Sequence, residues 1–224
     1  MPEKTFEKLK SNILPQWKIC FLSAFIVGII AHFYKLTNWI PNWDSLVFRY
    51  DAQNMTGLGR WFLQAVCMFT SYYDLPWLCG LIAIVFHALG AVLICKIFDI
   101  KKGVTSALIG AVVVTFPTVT SVLMYNYVAD GYSIAFFFSC LAAMNLLKEK
   151  PNYILAVIFI TLSVAIYQAY IAVTIILILM YLINGLVYEK KNTLFIVKKS
   201  IICLASGAIG IVSYYLILML VVEV

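Results

Sequence analysis

Apolar positions fall along this chain in long unbroken runs, with short polar intervals between them. A helix that crosses a bilayer needs about 20 mostly apolar residues. Seven segments meet or approach that requirement: 17–34, 76–98, 104–124, 128–147, 153–167, 170–187 and 201–222. The fifth and sixth come from one stretch, Tyr153 to Val187, which is too long for a single upright crossing. Polar Gln168, set between Tyr167 and Tyr170, marks where it divides. Pro76 suits the first turn of its helix, where no backbone amide is required. The longest polar interval is 37–75, and it contains "NWIPNWDSLVFRYDAQNMTGLGRW". The pattern predicts an all-α fold: a polytopic transmembrane helical bundle of about seven spans, a single membrane domain over 1–224. A re-entrant or interfacial helix is expected in the first outer loop.

Lysine placement orients the bundle. With a cytoplasmic N-terminus, Lys4, Lys8, Lys10, Lys18, Lys96, Lys101, Lys102, Lys148, Lys150, Lys190, Lys191, Lys198 and Lys199 fall inside. Lys35, Arg49 and Arg60 fall outside. This obeys the positive-inside rule. Merging the fifth and sixth spans would put "YEKKNTLFIVKKS" outside and break it. The interval 37–75, "MYNYVADGY" and "YQAY" then share the extracytoplasmic face. The inner loops are short and lysine-rich, so any chemistry is expected outside.

Composition excludes the soluble classes. Hydrophobic residues make up 64% of the 224 and charged residues 12%, with a mean hydropathy of +0.98. Soluble domains are roughly half apolar and about a quarter charged. The net charge of +6 is accounted for by the inner lysines and signals no nucleic acid. Six cysteines lie singly in apolar runs, without CxxC or Cys/His clusters, as small core residues would. The segment "MPEKTFEKLKSNILPQWK" is too polar and acidic for a signal-peptide start, so the first span is expected to be retained.

The outer polar residues are the candidates for chemistry. If Ser45–Thr56 is helical, Asp44 and Asp51 lie seven residues apart on one face with Phe48 and Met55. They then stand roughly 10 Å apart, too far to share a proton. Asn42–Asp44 could cap that helix through the Asp44 carboxylate, or Asp44 and Asp51 could belong to a solvated loop behind a belt of Trp39, Trp43 and Trp61. Gly57 and Gly59 allow a tight turn, and Arg60 could hold a phosphate or snorkel to lipid headgroups. Asp130 opens the fourth span as a functional acid or as a group complementing the helix dipole. Gln168 with Tyr167 and Tyr170 could contact sugar hydroxyls or simply close a turn. His32 and His87 are expected to be packed and hydrogen-bonded, and Asp74 in "SYYDLP" to belong to an interfacial turn.

These outer segments carry a resemblance. An N-x-D-S-L loop (Asn42–Leu46), G-R-W about fifteen residues on (Gly59–Trp61), the "YY-D-LPW" entry to the next span (Tyr72–Trp77), "YNYVADGYS" and S-x-A-x-YQAYI together resemble the bacterial polytopic membrane glucosyltransferases that decorate O-antigen and other surface polysaccharides. Those enzymes fall within the GT-C superfamily, and the likeness runs from about Asn38 to Ile171. It implies a GT-C-like fold in the bacterial inner membrane and inverting transfer of glucose from a polyprenyl-phosphate donor to an acceptor glycan outside. By the same resemblance Asp44 would be the general base. Arg60, then Arg49, would face the departing phosphate, while Asp51, Asp130, Gln168 and Tyr167 would bind sugar. Without a DxD pair, a divalent cation is neither required nor excluded. A polyprenyl-phosphate glucosyl synthase and a flippase would be pathway partners. Family members are usually longer, so the resemblance makes this chain a truncated or minimal version. A small transporter or flippase for lipid-linked sugar would need charged or broken helices near the midplane; a non-catalytic membrane subunit is the other alternative.

Overall fold

The computed structural model describes residues 14–222, so Lys4, Lys8 and Lys10 and most of the polar leader lie outside the described residues. Ten α-helices and two 3₁₀ turns account for the regular structure described. In chain order these are α1 (Pro15–Thr37), α2 (Trp43–Val47), the turn Thr56–Leu58, α3 (Leu63–Ser71) and α4 (Pro76–Ile97). There follow α5 (Gly103–Thr115), α6 (Pro117–Leu123), α7 (Ala129–Leu147), α8 (Tyr153–Ile166), the turn Gln168–Tyr170, α9 (Ile171–Val187) and α10 (Thr193–Val222).

Five of these are long and apolar enough to cross a membrane: α1, α4, α7, α10, and α9 together with its leading turn. Six qualify if α5 and α6, bent by 46°, count as one. The expected count of about seven is therefore higher than length and composition support. The shortfall is α8, whose 14 residues rise only about 21 Å at 1.5 Å per residue. Two further differences have local causes. The 104–124 run is broken because Pro117 forces Phe116 out of the helical region, to φ −61° and ψ 138°. The last helix starts at Thr193, eight residues before the expected 201, because its first turns carry Lys198 and Lys199 and scored as polar. The 153–187 stretch does break where Gln168 suggested, at Tyr167, which is extended at φ −158° and ψ 118°.

Helix α7 sits at the centre, packed against α4, α8 and α9; α1 packs on α4 and α5, and α10 on α8. Large side chains such as Ile30, Ile154, Leu204 and Leu220 point outward, as expected where the solvent is lipid. In that solvent the hydrophobic effect does not drive helices together, so close packing of small residues and hydrogen bonds across helices must. Both are present. A Cβ on Gly110 of α5 would run into the Cys20 carbonyl and Ala24 of α1. Ser139 joins four elements: its hydroxyl pairs with Ser163 at 2.8 Å and reaches the Tyr170 carbonyl at 2.8 Å, and its carbonyl accepts from Thr174 at 3.1 Å. His32 bonds the Val114 carbonyl and His87 the Ala83 carbonyl, each at 2.9 Å, so both histidines are packed and bonded as expected. The six cysteines are buried and unpaired.

The bundle has two chemically different ends. Lys96, Lys148, Glu149, Tyr181, Glu189 and Lys191 surround a recess at one end. Tyr125, Tyr132, Tyr167 and Tyr170 surround another. Tyr132 and Leu147 lie at opposite ends of α7, as do Val173 and Asn184 of α9, so these recesses are at opposite ends of the molecule. The loops bearing Lys96, Lys148 and Lys191 thus share one end.

Gly110→Ala should force α1 and α5 apart and cost about 1–3 kcal/mol, lowering the apparent Tm of detergent-solubilised protein by several degrees. Gly207→Ala, where the added Cβ meets nothing within 4 Å, should leave Tm unchanged or slightly raised. Monodispersity on size-exclusion chromatography after heating checks both.

Candidate functional site

The interval between α1 and α4 is a layer of short elements tied to the tyrosine-rich end. Asn42 caps α2 by accepting the Ser45 amide at 2.9 Å. The Asn42 amide and the Ser45 hydroxyl both reach the Met124 carbonyl, at 3.2 and 3.1 Å. Helix α2 is thereby fixed against the turn between α6 and α7. The cap expected from Asp44 is thus supplied by Asn42, which leaves the Asp44 carboxylate free of the backbone.

The expected helix over Ser45–Thr56 does not form beyond Val47. Tyr50 and Gln53 take positive φ, 61° and 57°, a conformation that ends a right-handed helix. The Gln53 side chain holds the bend by donating to the carbonyls of Phe48 at 2.9 Å and Asp51 at 3.1 Å. The shared helical face for Asp44 and Asp51, and the separation derived from it, therefore fall away. Asp51 is exposed in the bend.

A cleft of about 650 Å³ opens at this end, and Asp44, Arg60, Tyr125, Tyr132, Tyr167 and Tyr170 are among its walls. Asp44 enters from α2 and Arg60 from the turn before α3. Tyr132 comes from the first turn of α7, and Tyr167 and Tyr170 from the break between α8 and α9. Arg60 Nη1 donates to the Tyr132 hydroxyl at 3.1 Å, and its guanidinium lies over the Tyr167 ring at 4.6 Å. Tyr132 and Tyr167 stack with centroids 4.8 Å apart. The guanidinium thus rests on the Tyr167 ring and the Tyr132 hydroxyl, with Nη1 also 3.4 Å from Met55 Sδ, and its buried Nε has no partner in the protein. Burial, then neighbouring Tyr132 and Asp44, push the Tyr127 phenol well above its ordinary value.

The other expected site residues lie elsewhere. Asp130 is buried, takes a hydrogen bond from Thr70 and keeps its second oxygen unpartnered, away from the cleft wall. Gln168 donates to the Leu58 carbonyl at 3.0 Å and the Tyr214 hydroxyl at 3.1 Å. Arg49 stacks on Trp39 and Tyr50 and pairs with Asp74 at 3.4 Å. Of the expected set, Asp44, Arg60 and Tyr167 converge, whereas Asp51, Arg49, Asp130 and Gln168 stand outside. Among the described residues no three His, Cys, Asp or Glu side chains group at metal-binding distance.

Sequence reasoning undervalued Asp74. It is no mere turn residue: its side chain is wholly inaccessible, it adopts φ 45°, and it accepts from Trp39 Nε1 at 2.8 Å as well as pairing with Arg49. Burial pushes its carboxyl up, against the pull of Trp39, Arg49 and Lys35. Tyr125 and Tyr132 also went unremarked. The signal was available in the tyrosine spacing of "YNYVADGYS", where Tyr125 and Tyr132 are seven residues apart.

Fold and cleft together define a multi-pass membrane protein with a polar, tyrosine-walled site at the end of the bundle remote from its loop lysines. The chain belongs to the Glucosyl transferase GtrII family, whose model matches residues 33–224, a family of bacterial membrane glucosyltransferases. Membership brings the activity class, glucose transfer in O-antigen modification. No curated protein and no solved structure matches the chain.

Asp74→Ala should leave the Trp39 indole and Arg49 without their shared acceptor and cost about 1–3 kcal/mol. The expected result is a lower apparent Tm together with faster proteolysis within residues 38–62, both measurable in detergent micelles.

Proposed function

We propose that the cleft is the transfer site for glucose carried on a polyprenyl phosphate, and that it opens on the extracytoplasmic face. The observation that carries this reading is that Asp44 and Arg60, a carboxylate and a guanidinium from two separate elements, line the same tyrosine-walled cleft. Glucosyl transfer needs a group that removes a proton and a group that accommodates a departing phosphate. Here the acceptor glycan's hydroxyl oxygen attacks the anomeric carbon from the side opposite the phosphate. Its proton passes to the Asp44 carboxylate as the new C–O bond forms. The bond from the anomeric carbon to the phosphate oxygen breaks, and the electron pair leaves with the polyprenyl phosphate. Arg60, oriented by Tyr132 and Tyr167, offsets the charge that develops on that phosphate. Inversion follows from the single displacement. The tyrosine rings supply faces for the sugar, with Tyr167 already carrying Arg60 on one face.

The orientation rests on charge. The loops at the opposite end bear Lys96, Lys148 and Lys191, and positive loops stay inside. On this reading α8 completes a seventh crossing despite its length, because it joins the lysine-bearing loop before Tyr153 to the cleft-forming turn after Ile166. Neighbouring α7 and α10 shield it from much of the lipid.

Asp44→Asn should reduce glucose on the surface polysaccharide by about 10²- to 10⁴-fold at unchanged membrane abundance, scored by compositional analysis of extracted glycan. Wild-type glucosylation by a well-expressed Asp44→Asn protein would remove Asp44 from the reaction. The orientation is tested separately with Asn54→Cys and Lys150→Cys. A membrane-impermeant maleimide should label the first in intact cells and the second only after permeabilisation.

A further inference from the structure

Helix α10 hydrogen-bonds the loop that carries Arg60 through Tyr214. The Tyr214 hydroxyl donates to the Gly59 carbonyl at 2.9 Å and accepts from Gln168 Nε2 at 3.1 Å. The other Gln168 N–H goes to the Leu58 carbonyl at 3.0 Å. Every hydrogen of this pair is thus committed to the two carbonyls that immediately precede Arg60, or to the pair itself. The fit is tight as well as polar. Gly59 adopts φ 77°, and a Cβ there would collide with the Tyr214 hydroxyl and the Gln168 amide. Tyr214 is otherwise buried in the apolar cluster shared by α7, α8, α9 and α10, so its hydroxyl is held by packing far from the loop's own anchors. On the far side of Arg60, the Phe62 amide donates to the Ala165 carbonyl at 3.1 Å. Arg60 is therefore gripped from both directions along the chain.

We infer that Tyr214 and Gln168 are positioning residues for Arg60: they clamp the Leu58–Gly59 backbone so that the guanidinium meets the donor phosphate. The inference rests on the role proposed for Arg60 above. It also reassigns Gln168, which is not among the residues of the cleft wall, from sugar binding to loop geometry. A backbone freed at Gly59 would let the guanidinium leave its contacts with Tyr132 and Tyr167, and misplacement of about 1 Å costs up to 10²-fold in rate.

The test is a mutant cycle on transfer measured in membrane vesicles with polyprenyl-phosphate glucose. Tyr214→Phe keeps the ring in its apolar cluster and removes only the hydroxyl. It should lower kcat/KM for the donor about tenfold in the native background. In an Arg60→Lys background, where the fork geometry is already lost, the same change should cost less than twofold, because residues acting through one group are not additive. An equal loss in both backgrounds would mark a merely structural role and overturn the inference, as would native activity in Tyr214→Phe. Gly59→Ala, which pushes the clamp away from the other side, should reproduce the Tyr214→Phe loss; native activity in that variant also counts against it. Native activity in both Arg60→Lys and Arg60→Ala would instead remove Arg60 from the reaction, a failure of the proposed site rather than of the clamp.

Discussion

Water is missing from the solvent around most of this fold, and that one constraint orders the rest. A polar group left unpartnered in hydrocarbon costs several kcal/mol. The bundle answers by turning its polar side chains on one another and on neighbouring carbonyls. Ser139 and Ser163 tie α7, α8 and the Tyr170 turn together, Thr161 reaches across to the Gly210 carbonyl at 3.0 Å, and both histidines find carbonyls. Polar groups remain available to a ligand where the protein meets headgroups and water, and the tyrosine-walled cleft is there.

The cleft depends on an interval that could not fold by itself. Helix α2 is five residues long, and helices that short are marginal in water. Its hold comes from outside: the Met124 carbonyl for Asn42 and Ser45, Asp74 for Trp39 and Arg49, Tyr132 for Arg60. Residues far apart in sequence therefore fix the two charged groups. A carboxylate on α2 and a guanidinium at Arg60 stay on one wall because separate tethers hold each of them, and neither tether runs through the other.

Much of this was legible in the sequence, and the failures have a common cause. Hydropathy located the apolar helices, and polar Gln168 in a run too long for one crossing marked the break that falls at Tyr167, a division the lysine pattern also favoured. Asp44 and Arg60 stood out because charged residues are scarce in such a chain, and Tyr167 because it flanks the polar Gln168 in an apolar run. What failed was everything dependent on long-range tethers. A helical continuation past Val47 was a fair expectation from spacing, but the Gln53 side chain takes up two of the carbonyls that a continued helix would use. Asp74 looked like turn chemistry because its partners, Trp39 and Arg49, lie 35 and 25 residues away in sequence and on another element. Gln168 was correctly singled out as polar in an apolar setting, yet its partners are the backbone of Leu58 and a tyrosine in the last helix. Local pattern flags a polar residue that needs a partner, and only the fold says which partner it finds.

The charge asymmetry on which the proposed orientation rests also sorts the basic groups between the two ends. Lys96, Lys148 and Lys191 share one end, and Arg49, Arg60 and Lys35 are basic groups of the other. Two of these three are engaged within the protein: Lys35 bonds the Ile40 carbonyl and Asn126, and Arg49 pairs with buried Asp74. Of the three, Arg60 lines the cleft, and its side chain contacts Tyr132, Tyr167 and Met55 but pairs with no carboxylate. A guanidinium neutralised by an internal carboxylate would have little left for a phosphate, whereas one seated on tyrosine rings and a hydroxyl keeps its full charge. The arrangement of the neighbours, more than the presence of an arginine, is what the proposed anionic lipid-linked donor would meet at this end of the molecule.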